Sequence, residues 1–366
     1  MMACGLLVVG QLYATIPLTP WIQQRYGLDA PSAALAGSAF GFAYAISFLV
    51  CGPLSDRFGR GRVILAGMVA LSLATLLAGA APSFPALLAA RALQGTVAAT
   101  LPPAAVSLVV ETLPEKRRPL GIAAMAFSFL ASAPVAQLSV ASVAGMGVPL
   151  VMFAAAPLIL AAAALLAIVL GRAALRRPLA VAIQHAPSPA REPLIVACWI
   201  AAPMLMFAFV AFQAGVQALG DTLPLGTAAL RLLSVPALAA GFLAVPLARR
   251  IGALATATSG FALTASGLLL AAFGGAPALG LGAVLATAGV GIGVTGLIAT
   301  ISARSATARR GLAVAVYTFT LFMGASLAPP LAPALASGGL SVLCAVPALV
   351  AASGAAVLVA ARARFA

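Results

Sequence analysis

The sequence predicts an all-α membrane protein, with twelve transmembrane helices in two pseudo-symmetric six-helix bundles. Three observations lead there. Hydrophobic residues make up 63% of the 366 and charged residues only 7%, with a mean hydropathy of +1.16, whereas a soluble globule is about a quarter charged. Apolar runs of the roughly twenty residues needed to cross a bilayer follow one another along the chain. The breaks between them carry charge clusters or Gly/Pro turns, such as Ala80–Pro85 and Ala336–Gly339, and basic residues collect in every second break.

In order, the spans are expected at 3–20, 31–53, 62–81, 84–109, 119–142, 147–171, 194–217, 226–248, 253–273, 277–300, 311–335 and 339–361. With the first residue inside, seventeen of the 20 basic residues fall in cytoplasmic breaks. These are Arg57, Arg60, Arg62, Lys116, Arg117, Arg118, Arg172, Arg176, Arg177, Arg191, Arg249, Arg250, Arg304, Arg309, Arg310, Arg362 and Arg364. Arg25 alone lies outside, and Arg91 and Arg231 fall within spans. This is a strong positive-inside bias, and it predicts cytoplasmic termini.

The longest hydrophilic stretch, Arg172–Glu192, divides the chain into an N-terminal half at 1–171, a cytoplasmic linker at 172–193 and a C-terminal half at 194–366. The halves carry matching landmarks. GPLSDRFGR at 52–60 aligns with VPLARRIGA at 245–253, an offset of 193, and Arg117-Arg118 aligns with Arg309-Arg310, an offset of 192. Two landmarks at nearly one offset indicate an internal duplication.

Several function classes drop out. The net charge of +14 and pI near 11.5 come from basic residues scattered at helix ends, which form no continuous face for nucleic acid. Cys4, Cys51, Cys198 and Cys344 lie far apart in apolar runs and read as packing, so no metal site and no cofactor is expected. His185 is the sole histidine and reads as solvated. With no nucleophile–base constellation, no catalytic residue and no enzyme activity are expected. The sequence contains no asparagine, hence no N-glycosylation acceptor, and its start lacks the basic region and cleavage site of a secretory signal.

The most informative stretch is Gly52–Arg62, a charged patch between the apolar runs Pro31–Cys51 and Val63–Ala81. Four charges this close to two spans must sit at a membrane surface. Gly52, Leu54, Asp56, Arg57, Gly59 and Arg60 spell G-x-L-x-D-R-x-G-R, which resembles motif A of the major facilitator superfamily of transporters. The resemblance implies that Asp56 faces the N-terminal end of the eleventh helix near Gly311, where the helix dipole favours a carboxylate. It also implies that Arg60 pairs with Glu111 at the end of the fourth helix. Together these residues would latch the cytoplasmic side in the outward-open state.

Arg91-Ala-Leu-Gln94-Gly95 resembles motif B, R-x-x-Q-G, of the twelve-helix drug:proton antiporter branch. Arg91 and Gln94 share a helix face. An arginine inside the membrane is costly unless it meets a cavity or a partner, so this face is expected to line the central pathway; structural hydrogen bonding is the plain alternative. Tyr13 in LYATIPLTP resembles the aromatic–proline entry of the family's first helix. The family's pathway is lined by helices 1, 4, 7 and 10. That makes Gln11, Thr15, Gln213 and Gln217 substrate-contact candidates, with Tyr317, Thr320 and Gln137 behind them. Interhelical hydrogen bonding explains such residues equally well. Arg231 is expected to snorkel to the outer interface, and GVGIG at 289–293 to serve close helix packing rather than to cradle a nucleotide.

Two departures weigh against proton antiport. Ala133–Leu138 keeps only the proline of the branch's helix-5 motif, G-P-x-x-G-G. Every acid (Asp29, Asp56, Glu111, Glu115, Glu192, Asp221) sits in a loop or at a helix end, whereas proton relays use titratable groups within the membrane. Asp56 and Glu111 are the only candidate proton carriers. The resemblance therefore implies a monomeric secondary active transporter of the cytoplasmic membrane, nearest the exporters of drugs or metabolites. Its partners would be a small molecule, protons if coupling holds, and the bilayer. A facilitator or carrier for a neutral or anionic solute is the alternative. A non-transporting receptor or scaffold is a remote one, since it would need a soluble domain or a long tail.

Overall fold

The computed structural model describes residues 1–171, 189–306 and 309–365, and the described residues are helical with no strand. The chain divides into two compact units, Met1–Ala182 and Ile183–Ala366. Most of the linker expected at 172–193, including His185, lies outside the described residues. Unit 1 holds α1 (Met2–Tyr13), α2 (Thr19–Tyr26), α3 (Ala30–Phe58), α4 (Arg60–Gly79), α5 (Phe84–Ala98), α6 (Leu101–Thr112), α7 (Arg118–Ala141) and α8 (Gly147–Leu170). Unit 2 holds α9 (Pro193–Leu219), α10 (Thr227–Ala237), α11 (Ala240–Ile251), α12 (Ala253–Ala272), α13 (Ala276–Arg304), α14 (Arg310–Ser337) and α15 (Gly339–Phe365).

Among the described residues, ten segments are long and apolar enough to cross a membrane. Two further apolar helices, Met2–Tyr13 and Phe127–Ala141, are shorter. The first expected span, 3–20, is corrected: α1 stops at Tyr13, and the polar helix α2 begins at Thr19. Between them the chain tightens into three-residue turns, Ile16 N–H to Tyr13 O at 3.2 Å and Leu18 N–H to Thr15 O at 3.1 Å. Pro17 and Pro20 each lack an N–H and disfavour the helical region for the residue before them, which weakens a continuous helix at this point.

Two other expected spans are each interrupted once. The span at 84–109 breaks at Ala99 and Thr100, just before the prolines 102 and 103 that open α6. The span at 226–248 breaks at Leu238 and Ala239, following Pro236. In both cases the two pieces still make one membrane-length segment, Phe84–Val109 and Thr227–Ile251.

The internal repeat extends from sequence into geometry. Gly59 ends α3 and opens α4 with φ 96° and ψ 127°; Gly252 ends α11 and opens α12 with φ 90° and ψ 154°. A Cβ is strained in that backbone region, which explains why both corners are glycine. The two glycines stand 193 residues apart, and so do both ends of the 20-residue helices α4 and α12. The pair α5–α6 and the single helix α13 match at both ends at an offset of 192. Neighbour relations repeat too. α1 packs on α7 and α8, α4 on α5 and α8, and α3 on α5; in unit 2, α9 packs on α14 and α15, α12 on α13 and α15, and α11 on α13.

Close backbone approach holds unit 2 together. A Cβ added to Gly260 would collide with the Gly293 backbone, one on Gly296 with Ala257, and one on Gly289 would lie 2.5 Å from the Thr264 amide nitrogen. The GVGIG run thus lies in the α12–α13 seam, with Gly291 turned toward Gly241 of α11. Small residues let helix backbones meet where lipid supplies no hydrophobic drive for association. Replacing Gly260 by Val should therefore lower the thermal midpoint of the detergent-purified protein by several degrees, corresponding to roughly 1–3 kcal/mol of overpacking. Gly145→Ala, where an added Cβ meets nothing within 4 Å, should leave it unchanged.

Candidate functional site

The α3–α4 corner presents the first constellation. Gly59 turns the chain so that Arg60 starts α4 facing α6. There its guanidinium pairs with the Glu111 carboxylate and donates from Nη1 to the Ser107 carbonyl at 3.3 Å. Arg60 is half-buried and Glu111 exposed, so solvent screens the pair and its contribution to stability is small. Leu54 and Arg57 are exposed, with the Arg57 guanidinium 5.5 Å from the Phe58 ring centroid. Gly52 and Asp56 lie in the last two turns of α3, and the surroundings of the Asp56 side chain fall outside the described residues.

The second constellation is buried in unit 1. Arg91, on the middle of α5, has no exposed surface. Its Nε donates to the Ala36 carbonyl of α3 at 3.1 Å and its Nη2 to the Gln11 carbonyl of α1 at 2.8 Å. Its Nη1 donates to Gln94 Oε1, one turn along α5, at 2.9 Å. The guanidinium also lies 4.6 Å from the Phe40 ring centroid, at the head of a ladder of Phe40, Tyr44 and Phe48. Gln94 then donates to Thr75 Oγ1 of α4 at 2.8 Å and to Met152 Sδ of α8 at 3.8 Å.

Arg91 and Gln94 therefore tie five helices together, and all three bonded nitrogens of Arg91 reach groups of unit 1. Gly95, next on α5, allows this: a Cβ there would collide with the Phe40 carbonyl. Among the described residues no carboxylate meets Arg91; carbonyl dipoles and a π face balance its charge. Nearby, Gln11, Thr15 and Gln137 are buried, each with a side-chain oxygen lacking a hydrogen-bond partner among the described residues, and Tyr13 is buried beside them on α1.

In unit 2, Gln213 and Gln217 stand one turn apart on α9, Gln213 buried and Gln217 half-buried. Arg231 on α10 donates from Nη2 to Gln217 Oε1 at 2.6 Å. Its residue exposure is 2%, so the expectation that it snorkels to the interface is corrected. Leu230, Arg231 and Ser234 form the buried stripe of α10, which packs on α13, and the guanidinium turns inward to α9. Tyr317 is buried on α14 with its hydroxyl 3.5 Å from the Val294 carbonyl, and the Thr320 hydroxyl bonds back to the Tyr317 carbonyl at 3.0 Å. Sequence reasoning passed over Trp199, whose indole N–H donates to the Ala313 carbonyl at 3.0 Å and joins α9 to α14. Its rarity in the chain, one of two tryptophans, was the available signal. All four cysteines are free and buried.

Ten segments of spanning length among the described residues define a multi-pass membrane protein. The sequence profile of the Major Facilitator Superfamily matches residues 1–233, and the chain belongs to that family. It is 38% identical over 108 residues to the puromycin resistance protein of Streptomyces alboniger, 30% of this chain and 22% of that one. It is 39% identical over 92 residues to multidrug resistance protein D of Escherichia coli, 25% and 23% of the two chains. To the methylenomycin A resistance protein of Streptomyces coelicolor it is 40% identical over 114 residues, 31% and 21%. Each match thus spans about a fifth of the relative's length. The crystal structure of the human organic anion transporter MFSD10 (TETRAN) superposes with a TM-score of 0.71 at 18% identity, covering 98% of this chain and 97% of that one. That likeness concerns the fold.

Because three nitrogens of Arg91 reach three different acceptors, its geometry matters as much as its charge. Arg91→Lys should lower the thermal midpoint of the purified protein although the charge is kept, since one ammonium cannot span α1, α3 and α5. At least one charge-assisted bond is lost, roughly 1.5–3 kcal/mol. A midpoint equal to wild type would show that the network is not a structural tie.

Proposed function

We propose that this chain is a secondary active transporter that exports a drug-like or metabolic small molecule across the bacterial cytoplasmic membrane by alternating access. The observation that carries the reading is the match to relatives named for resistance to puromycin, to methylenomycin A and to multiple drugs. On this reading α1 and α7 supply the remaining two spans of twelve. The helices group into two six-helix bundles, 1–171 and 194–366, joined by a cytoplasmic linker at 172–193, and both termini are cytoplasmic as the basic residues require. Energy comes from a solute or ion gradient.

The latch is the Gly52–Arg60 corner with Glu111. Asp56 would bias the outward-open state through the charge–dipole interaction that the resemblance implies, and the Arg60–Glu111 pair orients the corner. Arg91 and Gln94 then act as the fixed frame of the first half, holding Gln11 and Tyr13 in position for substrate. In unit 2, Gln213, Gln217 and Tyr317 are the candidate substrate contacts. Proton coupling, if this exporter uses it, has to run through carboxylates at helix ends. Asp56 and Glu111 are the candidate carriers, whereas Asp29 caps α3 by accepting from the Ser32 amide at 3.0 Å and Glu192 lies 3.7 Å from the Arg304 guanidinium. A second reading, a carrier for an anionic solute without proton antiport, is favoured by the two buried arginines and the absence of any carboxylate within the ten described spans outside helix ends.

Cells expressing the protein should tolerate several toxic compounds better than cells without it, and everted vesicles should accumulate the same compounds. Asp56→Asn should insert normally yet transport about fivefold more slowly, the factor expected from roughly 1 kcal/mol of lost charge–dipole interaction. Normal transport by the inserted variant would remove the latch from the mechanism. Accumulation indifferent to an imposed pH gradient would select the uncoupled carrier.

A further inference from the structure

We infer that Arg231, together with Gln213 and Gln217, forms a binding site for a single oxyanion in unit 2, such as a carboxylate, sulfonate or phosphate. As the anionic group of the transported solute it rests on the transporter reading above; as an anion site it stands without it. Arg231 lies in the second turn of α10, inside the span Thr227–Ile251, and only 2% of it is exposed. A guanidinium offers five N–H donors in a rigid fork. Here one nitrogen is engaged, Nη2 with Gln217 Oε1 at 2.6 Å, while the buried Nε has no partner among the described residues.

Arg91 is the internal comparison. It is equally buried, yet its Nε, Nη1 and Nη2 are each bonded and an aromatic face lies against it. The same residue type in the same chain is therefore built as a closed structural tie in one unit and left open along its Nε edge in the other. A buried cation with an unfilled donor is unfavourable in a membrane, and its natural complement is an oxyanion whose oxygens accept from the guanidinium.

The flanking groups fit that complement. Gln217 gives its carbonyl to Arg231, which leaves its amide N–H groups to donate, and Gln213 stands one helical turn away on the same face of α9, bringing a second side-chain amide. Cation and amide donors together select an anion over an amine. The acid nearest in sequence, Asp221, has a side chain outside the described residues and serves as the internal rival.

The test uses the full chain in phosphatidylcholine nanodiscs and calorimetric titration with matched probes: benzoate against benzamide, naphthalene-2-sulfonate against its sulfonamide, and inorganic phosphate. Wild type should bind at least one oxyanion about tenfold more tightly than its neutral counterpart, the order of one charge-assisted hydrogen bond. Arg231→Gln should erase the preference and Gln213→Ala should weaken it a few-fold. If Arg231→Gln fails to fold, Arg231→Lys, which keeps the charge but loses the fork, must reduce the preference. Repeating the titration with phosphatidylglycerol in the discs separates the sources: displacement of the probe assigns a lipid headgroup, and no displacement assigns a soluble anion.

The inference is overturned if no probe pair is distinguished in either disc, if the preference survives in the arginine variants, or if Asp221→Asn creates anion binding that wild type lacks. Transport measured in parallel keeps the two readings apart. Export unaffected by Arg231→Gln, with no anion preference, removes the site alone. Arg231-dependent binding by a protein that transports nothing removes the transporter reading alone.

Discussion

Inside a bilayer a polar group finds no water to fall back on, and this constraint shapes the molecule from backbone to side chains. Backbone N–H and C=O groups close on themselves in helices. Many hydroxyls bond to a carbonyl within reach, whether on their own helix, as Thr264 does with Gly260, or on a neighbour, as Ser72 does with Ala156 and Ser128 with Met2. Arginine, which no single neighbour can satisfy, needs several helices at once. The Arg91 network follows directly: its three acceptors come from α1, α3 and α5, so satisfying one side chain fixes the mutual register of three helices. Gln94 extends the same logic to α4 and α8.

Because lipid tails compete with side chains for apolar contact, helix pairs gain most by bringing backbones together. The glycines of the α12–α13 seam and Gly95 against Phe40 act in this way in the two units. They also explain the low demand for large interior side chains. Much of the buried surface is alanine, from Ala36 and Ala104 in unit 1 to Ala271, Ala328 and Ala351 in unit 2, and bulky residues such as Leu73, Leu77, Ile168 and Val169 face outward instead. Close-packed small interiors under a greasy exterior are what a lipid solvent selects.

Much of the architecture was legible in the letters because composition and run length report directly on the solvent. The repeat was legible at Gly59 and Gly252, since a corner that requires positive φ leaves glycine as its trace. The interrupted first span was not, because LYATIPLTP carries no charge and hydropathy does not register the donors lost at Pro17 and Pro20. Side-chain environments were harder still. Two of the three acceptors of Arg91 are main-chain carbonyls, which have no letter in a sequence; only Gln94, one turn along the same helix, could be named in advance. The Arg60–Glu111 approach entered through resemblance rather than through spacing. Arg231 was misjudged because its direction depends on which stripe of α10 meets α13, and a position five residues into a span is equally compatible with pointing out or in.

The two buried arginines then separate structure from function more sharply than motif matching does. Resemblance drew attention to Arg91, yet Arg91 uses its donors on its own unit, as a structural tie would. Arg231 carries no motif, and its buried Nε has no partner among the described residues. A side chain that spends its hydrogen-bonding capacity inside the fold has little left for a ligand, whereas one kept desolvated and incompletely bonded retains free energy that a complementary anion would release on binding. Where a protein tolerates such a group, the tolerance itself needs a cause, and in a chain whose family moves solutes through its interior the economical cause is the solute. Recognition would then reside in a buried side chain that the fold leaves incompletely bonded.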